Sequence, residues 1–265
     1  MSPLIETRNL DASIGEVEIV RGLDLTVGER EIWGLLGPNG SGKTTLLLTL
    51  AGIREADRGE ILLDGQPIAS LPRRAIARRL GMLLQHTNYA FDATCLETAL
   101  AGRHPHISAW QRERRSDREL ARQVLDELEL DHLADRSCME LSGGETRRLA
   151  LATLLVQDPA LMLLDEPTNH LDPANQVAML NRIGQRARSP GRGAMMALHE
   201  VNLATCYCTH VLLLFGNGHW EAGTTDSHLT AENLTRLYNC PVKMIDDGHQ
   251  RVFAVAGEPG TGNTG

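Results

Sequence analysis

The stretch that decides the fold is "EIWGLLGPNGSGKTTLLLTLAG", which runs from Glu31 to Gly52. Its first seven residues form a continuous apolar run that ends in glycine, which is typical of a buried strand. The residues from Lys43 onward have a helical pattern, and Gly52 is placed to end the helix. A glycine-rich turn joins these two parts. The sequence therefore predicts a strand, a loop and a helix in direct succession.

The loop itself, "GPNGSGKT" from Gly37 to Thr44, matches the pattern GxxxxGK[ST] in the strand-to-helix context that this pattern requires. Its glycines let backbone N–H groups close around phosphate oxygens, and the start of the following helix adds positive potential. Lys43 can reach the β- and γ-phosphates, and the Thr44 hydroxyl can bind magnesium. The predicted phosphate-binding residues are Gly37, Pro38, Asn39, Gly40, Ser41, Gly42, Lys43, Thr44 and Thr45.

A second motif, "LMLLDEP" from Leu161 to Pro167, is an apolar strand that ends in two acidic residues. An unpaired carboxylate at the end of a buried strand is costly, and magnesium is the natural partner for Asp165. Glu166 is then placed to act as a general base on a water that attacks the γ-phosphate. The alternative is that both acids are simply solvated. Together with the phosphate loop, the motif predicts hydrolysis of magnesium-ATP or magnesium-GTP.

A third motif, "LSGGE" from Leu141 to Glu145, opens a helix. Ser142 as the N-cap, followed by Gly143 and Gly144, predicts exposed N–H donors at the helix start, and hence a second anion site. Either this element binds a second phosphate group, or it serves a nucleotide held by another copy of the chain. A plain capped helix is the third possibility.

The remaining pattern predicts an α/β fold. The first thirty residues form short strand-like pieces, as in an antiparallel sheet, and residues from Thr94 to about Gln157 have a helical pattern. After Gln157, buried strands alternate with helices, which predicts a mainly parallel sheet. We therefore expect a P-loop NTPase core with an N-terminal antiparallel β subdomain and an inserted α-helical subdomain at about 94–157. Residues 257–265 have the composition of a disordered tail.

Composition limits the possible functions. The chain has 265 residues, of which 42% are hydrophobic, so it can bury one large core. Its formal net charge of −8 argues against general nucleic-acid binding. No apolar run approaches the roughly 20 residues of a membrane helix, and the start of the chain does not have the pattern of a secretory signal. The five cysteines form no CxxC pair, which favours reduced thiols and a cytosolic location over a metal site.

In these motifs and their order, the chain resembles the ATP-binding subunits of ABC transporters, over nearly its whole length. The family's further elements are a glutamine after a strand, at Gln85, the segment "NHLD" that ends at Asp172, and a lone histidine after a strand, at His199. The resemblance implies that Gln85 contacts magnesium and senses the transporter, and that His199 holds the γ-phosphate end. It also implies that Ser142, Gly143 and Gly144 clasp the ATP of a partner chain and that Asp172 lies at the dimer contact.

The resemblance further implies that residues 1–256 are one ATP-binding domain and that two chains enclose two ATP molecules. Hydrolysis at Glu166 would then open this clamp. The segments "HEVNLAT" and "LTAENLTRLYNCPV" resemble the importer branch for iron–siderophore complexes, haem or cobalamin. The expected partners are a second copy, membrane permease subunits and, indirectly, a substrate-binding protein, with no nucleic acid. The expected location is the cytoplasmic face of the membrane.

The segment "GRHPHISAWQRERR" from Gly102 to Arg115 is basic, although the whole chain is acidic. By resemblance, Arg103, His104, His106 and Trp110 belong to or flank a surface that docks on the membrane subunits. The arginines also fit a solvated helix face, and a metal site at the two histidines lacks further ligands nearby.

Two positions depart from the family pattern. Ile14 aligns with a position that usually carries an aromatic residue stacked on adenine, so we expect weaker ATP binding and less strict choice of base. Glu145 replaces a more common glutamine, and an acid in the first helical turn suits the helix dipole, so little loss is expected.

Two other functions are compatible with the nucleotide motifs. One is a soluble ABC-type ATPase that acts in assembly or on nucleic acid, which the acidic balance and the single set of motifs disfavour. The other is a switch that binds ATP without hydrolysing it, which Glu166 and His199 disfavour. The transported molecule itself cannot be deduced from this chain.

Overall fold

The computed structural model describes residues 3–87, 89–108, 112–169, 171–248 and 250–256. The predicted tail at 257–265, Trp110 of the basic segment and His170 of "NHLD" lie outside the described residues.

The central sheet has six strands within these residues, in the order β10-β9-β3-β8-β7-β6. The first five in chain order run parallel, and β10 pairs antiparallel with β9 at one edge. Three inner strands are buried along their whole length, as expected for a parallel sheet covered on both faces. The six strands are β3 (Ile32–Leu36), β6 (Leu80–Leu83), β7 (Leu161–Asp165), β8 (Gly193–Ala197), β9 (His210–Gly216) and β10 (His219–Thr224).

The N-terminal sheet is antiparallel, as predicted, with the order β2-β1-β4-β5. The short pieces expected at the start of the chain are two long strands of 10 and 11 residues, and β-bulges interrupt their pairing. Asp64 and Gly65 form the turn between β4 and β5, both with positive φ. The four strands are β1 (Ile5–Ile14), β2 (Val17–Val27), β4 (Arg58–Leu63) and β5 (Gln66–Pro67).

The helices form around the central sheet, and three of them, α3 to α5, are inserted between β6 and β7. In its described part, the insertion is less helical than expected, because α3 ends shortly before Gly102 and Pro105 and α4 begins at Arg115. The described helices are α1 (Lys43–Leu50), α2 (Arg73–Arg79), α3 (Cys95–Leu100), α4 (Arg115–Glu127), α5 (Gly143–Gln157), α6 (Pro173–Ala187), α7 (Val201–Tyr207), α8 (Thr225–His228) and α9 (Ala231–Tyr238).

Two apolar cores lie on opposite sides of the central sheet. One contains residues of α3 to α6 together with one face of the sheet. The other contains α1, the N-terminal sheet and the opposite face. A hairpin of β11 (Val242–Asp246) and β12 (Arg251–Val255), which the sequence did not predict, follows α9. No helix of the described ranges is both long enough and apolar enough to cross a membrane.

This topology places the chemistry at one edge of the central sheet. The carboxyl ends of parallel strands meet at the same edge, where open α/β sheets bind their ligands. Gly37 follows β3, Gln85 follows β6, Glu166 follows β7 and His199 follows β8.

Candidate active site

The loop from Gly37 to Thr44 has a conformation that requires its glycines. Gly42 is the N-cap of α1 with φ of 90°, and a Cβ atom there would lie 2.5 Å from Ile19. A Cβ at Gly37 would lie 2.6 Å from the Ser41 hydroxyl and 2.9 Å from the carbonyl oxygen of Leu214. The loop therefore packs tightly against its own chain, and its residues from Asn39 to Thr44 line a cleft.

This cleft has a volume of about 680 Å³ and contains the predicted phosphate-binding loop on one side. Its other side carries the polar side chains that follow three different strands of the sheet. The cleft is lined by Ile14, Asn39, Gly40, Ser41, Gly42, Lys43, Thr44, Thr45, Gln85, Glu166, Asn169 and His199.

Lys43 is buried, and its ammonium group donates hydrogen bonds to the carbonyl oxygens of Gly37 at 2.9 Å and Pro38 at 3.1 Å. Burial lowers the pKa of Lys43, and the carboxylates of Glu166 and Asp165 oppose that shift. The ammonium group is thus held at the phosphate loop beside two acids.

Asp165, at the end of β7, is 1% exposed. The Thr44 hydroxyl donates to its Oδ2 at 2.8 Å, whereas the buried Oδ1 has no hydrogen-bond partner among the described residues. Burial raises the pKa of Asp165 above its ordinary value, although the bond from Thr44 lowers it. A buried carboxylate oxygen without a partner, beside a hydroxyl, fits the oxygen ligands that magnesium prefers.

Glu166 is the next residue, and it adopts a left-handed conformation with φ of 48° that turns its side chain into the cleft. Its Oε2 accepts hydrogen bonds from the Gln85 amide at 2.6 Å and from the Asn169 amide at 3.0 Å. The imidazole Nε2 of His199 contacts the other oxygen, Oε1. The structure thus brings together Glu166, Gln85 and His199, which the sequence analysis predicts to act as general base, to contact magnesium and to hold the γ-phosphate end.

The "LSGGE" motif lies at the N-terminus of α5, as predicted. Ser142 caps the helix, and Glu145 completes a capping box because its Oε2 accepts from the Ser142 N–H at 2.8 Å. Asp172 caps α6, where its Oδ1 accepts from the Asn175 N–H at 3.0 Å. Ser142 and Asp172 are exposed and do not line the described cleft, so one chain does not bring them to its own phosphate loop.

The basic segment is bonded largely to its own chain. Arg103 donates to Asp117 Oδ1 at 2.9 Å and to the Val156 carbonyl at 3.3 Å. The His106 ring bonds the Gln157 carbonyl at 2.8 Å. Arg103 thus links α4 to α5 and His106 bonds the end of α5, whereas His104 is exposed.

Ile14, the position where an adenine-stacking aromatic residue is usual, does lie at the cleft, and 46% of it is exposed. The described lining of the cleft includes no Phe, Tyr or Trp.

Sequence reasoning missed two residues of this region. Asn169 bonds the carboxylate of Glu166, and Arg147 bonds the backbone on both sides of the site. Arg147 had a detectable signal, because it precedes Ala150, Leu151 and Leu154 at the spacing of one helix face, and all three are buried. An arginine in an apolar stripe indicates a buried cation with specific partners.

Comparison with known proteins agrees with this geometry. Residues 20–169 match the family model described as ABC transporter. The chain is 33% identical over 250 residues to the ferric enterobactin transport ATP-binding protein FepC of Escherichia coli (strain K12), covering 94% of this chain and 90% of that protein. It is 35% identical over 249 residues to the hemin import ATP-binding protein HmuV of Myxococcus xanthus (strain DK1622), covering 91% and 92%.

A solved structure of similar fold is described as an inward-facing conformation of a putative metal-chelate type ABC transporter. The two chains superpose with a TM-score of 0.83 at 28% identity, over 97% of this chain and 98% of that one.

Proposed function

Because this chain belongs to the ABC transporter family, as an ATP-binding subunit that hydrolyses ATP, we propose that it powers the import of a metal chelate through partner membrane subunits. The chelate class is an iron–siderophore complex, haem or cobalamin. Relatives named for ferric enterobactin and hemin transport, and a structural relative of metal-chelate type, support this class.

The observation that carries the proposal is the position of Glu166 in the same cleft as the phosphate loop. The N–H groups of the loop and the Lys43 ammonium hold the phosphates at the start of α1. The oxygen of the attacking water bonds to the γ-phosphorus while a carboxylate oxygen of Glu166 accepts the proton of this water. The bond between the γ-phosphorus and the bridging oxygen breaks, and ADP leaves with its electrons. The amides of Gln85 and Asn169 orient this carboxylate. His199 contacts the other oxygen of the Glu166 carboxylate, and its role in this proposal is to hold the γ-phosphate of ATP.

Thr44, Asp165 and Gln85 are the residues that would hold a magnesium ion, for which the unpartnered Oδ1 of Asp165 is the main support. When bound, the ion neutralises charge on the β- and γ-phosphate oxygens. The protein's own contribution is to fix the Asp165 carboxylate through the Thr44 hydroxyl.

A second copy of the chain completes each site. ATP-binding subunits of this family dimerise and work with membrane permease subunits. Since Ser142, Gly143 and Gly144 do not line the cleft of their own chain, they serve the ATP held by the partner, and the exposed Asp172 belongs to the dimer contact. The exposed N–H groups at the start of α5 are suitable donors for a γ-phosphate.

The docking surface for the permease lies beside the inserted helices. Phe91 is 84% exposed, the highest value among the large apolar side chains of the described residues, and Met139 is 60% exposed. Their segments touch, since the Cys138 N–H donates to the Ala93 carbonyl at 2.9 Å and the Ser137 hydroxyl to Asp92 at 2.6 Å. We assign the subunit to the cytoplasmic face of the membrane. A substrate-binding protein is an indirect partner.

In this proposal, residues 1–256 form one ATP-binding domain, and residues 94–157 are its helical subdomain. The helical subdomain presents both the "LSGGE" motif and Met139, so nucleotide binding and permease docking involve the same part of the chain.

The first part of the test is affinity capture of the tagged chain from gently solubilised membranes of its host. In the second part, the chain is returned to cells that lack its gene, and uptake of iron–siderophore, haem and cobalamin is measured. We expect a multi-span membrane protein to co-purify and uptake of one chelate to be restored. Replacing Phe91 and Met139 by aspartate should abolish both the co-purification of the membrane protein and the restored uptake. Ile245→Asp is the control, because Ile245 lies on the C-terminal hairpin and is about as exposed as Met139.

Retention of the membrane protein by the double variant contradicts the docking surface. Capture of soluble proteins alone, with no chelate restored, favours the soluble ATPase instead.

A further inference from the structure

The guanidinium group of Arg147 is a buried cation that lies between the two catalytic segments. The residue is 7% exposed, and it is placed in the second turn of α5. Its Nε donates to the Pro167 carbonyl at 3.1 Å. Its Nη2 donates to the carbonyls of Asp165 at 2.7 Å and Glu166 at 2.6 Å. Its Nη1 donates to the carbonyls of Leu84 and, at 3.1 Å, of Gln85.

These bonds use the whole hydrogen-bonding capacity of the side chain. An arginine has five N–H donors and no acceptor, and here five backbone carbonyls accept them. This satisfaction explains how a cation remains buried, since burial lowers the pKa of Arg147 and the nearby carboxylates of Asp165 and Glu166 raise it.

The five carbonyls belong to two segments that carry catalytic side chains. Leu84 and Gln85 follow β6, and the acceptors from Asp165 to Pro167 end or follow β7, the strand paired with β6. Arg147 therefore cross-links the backbones of Gln85 and Glu166, whose side chains are joined by the 2.6 Å bond in the cleft.

Glu166 needs such support because its backbone is strained. A non-glycine residue with positive φ persists only where its surroundings fix it. The N–H of Glu166 donates to the Ala197 carbonyl at 3.1 Å, while its carbonyl accepts from Arg147 and from the Asn169 N–H. Without Arg147, one of these anchors is lost, together with the link to the Gln85 segment.

We propose that Arg147 is a positioning residue for ATP hydrolysis, which fixes Gln85 and Glu166 of its own chain in register with each other. This inference rests on the proposed catalytic role of Glu166. It requires arginine specifically, because a lysine has three donors on a single atom and cannot span both segments.

The test compares Arg147→Lys with Arg122→Lys, an equal change at an exposed position of α4. Positioning affects turnover rather than nucleotide binding, so we expect kcat to fall about tenfold or more in Arg147→Lys, with KM for ATP changed less than twofold. Arg122→Lys should match the wild type. An unchanged kcat, or a KM effect alone, overturns the proposal.

Stability must be followed in the same samples. Arg147→Gln provides a second variant. The kinetics are measured on whichever of Arg147→Lys and Arg147→Gln keeps the wild-type unfolding midpoint. If neither variant folds, Arg147 is a folding residue and the proposal is wrong.

Mixed dimers distinguish this role from simple support of α5. Two differently tagged chains are co-purified, and one carries Glu166→Gln so that only the other chain's catalytic site is active. Arg147→Lys should lower the rate when placed in the chain with intact Glu166. A loss only when it is placed in the other chain, which supplies Ser142 to the active site, overturns the proposal. If the wild type does not hydrolyse ATP, the proposed function itself is wrong, whatever the Arg147 variants do.

Discussion

The hydroxyl of Thr44 donates a hydrogen bond of 2.8 Å to Asp165 Oδ2, although 121 residues separate the two in the chain. The bond joins the first turn of α1 to the end of β7, and it leaves the second carboxylate oxygen of Asp165 buried without a partner. The phosphate loop and the acidic motif thus form a single site.

Removal of magnesium by EDTA should abolish ATP hydrolysis, and Asp165→Asn should lower kcat by about 100-fold or more, since a neutral amide is a much weaker ligand for a hard cation. The measurement is phosphate release as a function of free magnesium. Asp135→Asn, at a largely exposed carboxylate, is the control. Full activity of Asp165→Asn at ordinary magnesium levels would refute the assignment.

Glu166→Gln should reduce kcat by about 10²- to 10⁴-fold, because the amide cannot accept the proton of the attacking water. Binding of ATP should persist, since the variant keeps the phosphate loop and Lys43. Steady-state hydrolysis and nucleotide titration measure the two effects, with Glu119→Gln on the exposed face of α4 as the control. Equal losses of binding and turnover would indicate a structural role.

Ile14→Tyr should strengthen ATP binding by about 1 kcal/mol and increase the preference for ATP over GTP, because it adds a stacking surface at the cleft. The KM values for both nucleotides provide the test. Val17 pairs with Ile14 in the same hairpin and is also exposed, but it does not line the described cleft, so Val17→Tyr is the matched control. If Ile14→Tyr leaves KM and the ATP/GTP ratio unchanged, this position does not contact the base.

Asp117→Asn should destabilise the helical subdomain. Burial by itself raises the pKa of the Asp117 carboxyl, but the Arg114 N–H and the Arg103 guanidinium outweigh it and hold the pKa below its ordinary value of 3.8. The ionised carboxylate therefore stabilises the fold above pH 3.8, and this stabilisation is lost as the pH falls through the lower folded-state pKa.

The free energy of unfolding should thus be about 1 to 3 kcal/mol lower in the variant at neutral pH, and the difference should narrow in acid. Urea denaturation at about pH 7 and about pH 2.5 measures this difference, with Asp135→Asn as the control. A difference that is independent of pH would mean that the charge of Asp117 is not responsible.

The sequence predicted those features that depend on local pattern. The loop from Gly37 to Thr44, the cap at Ser142 and the end of β7 at Asp165 are encoded by residues close together in the chain, and the structure has them as predicted. The order of strands and helices was also sufficient for the fold class, because alternation favours a parallel sheet.

Features that depend on distant partners were less accessible. Whether Arg103 faces solvent or an internal carboxylate depends on the packing of α4, which its own segment does not encode. The five acceptors of Arg147 come from one segment about 60 residues before it and another about 20 residues after it, so only its place in an apolar stripe indicated a special role. Similarly, the long β1 and β2 strands arise from pairing with each other and with β4.

The central claim is that two chains form each hydrolytic site, and the most direct test is the specific ATPase activity of the purified chain as a function of its concentration. Since Ser142 does not line the cleft that contains Glu166, a monomer has an incomplete site, and we predict that activity per chain rises with concentration toward a plateau as dimers form. A specific activity that is constant down to concentrations at which the chain is monomeric would contradict this account.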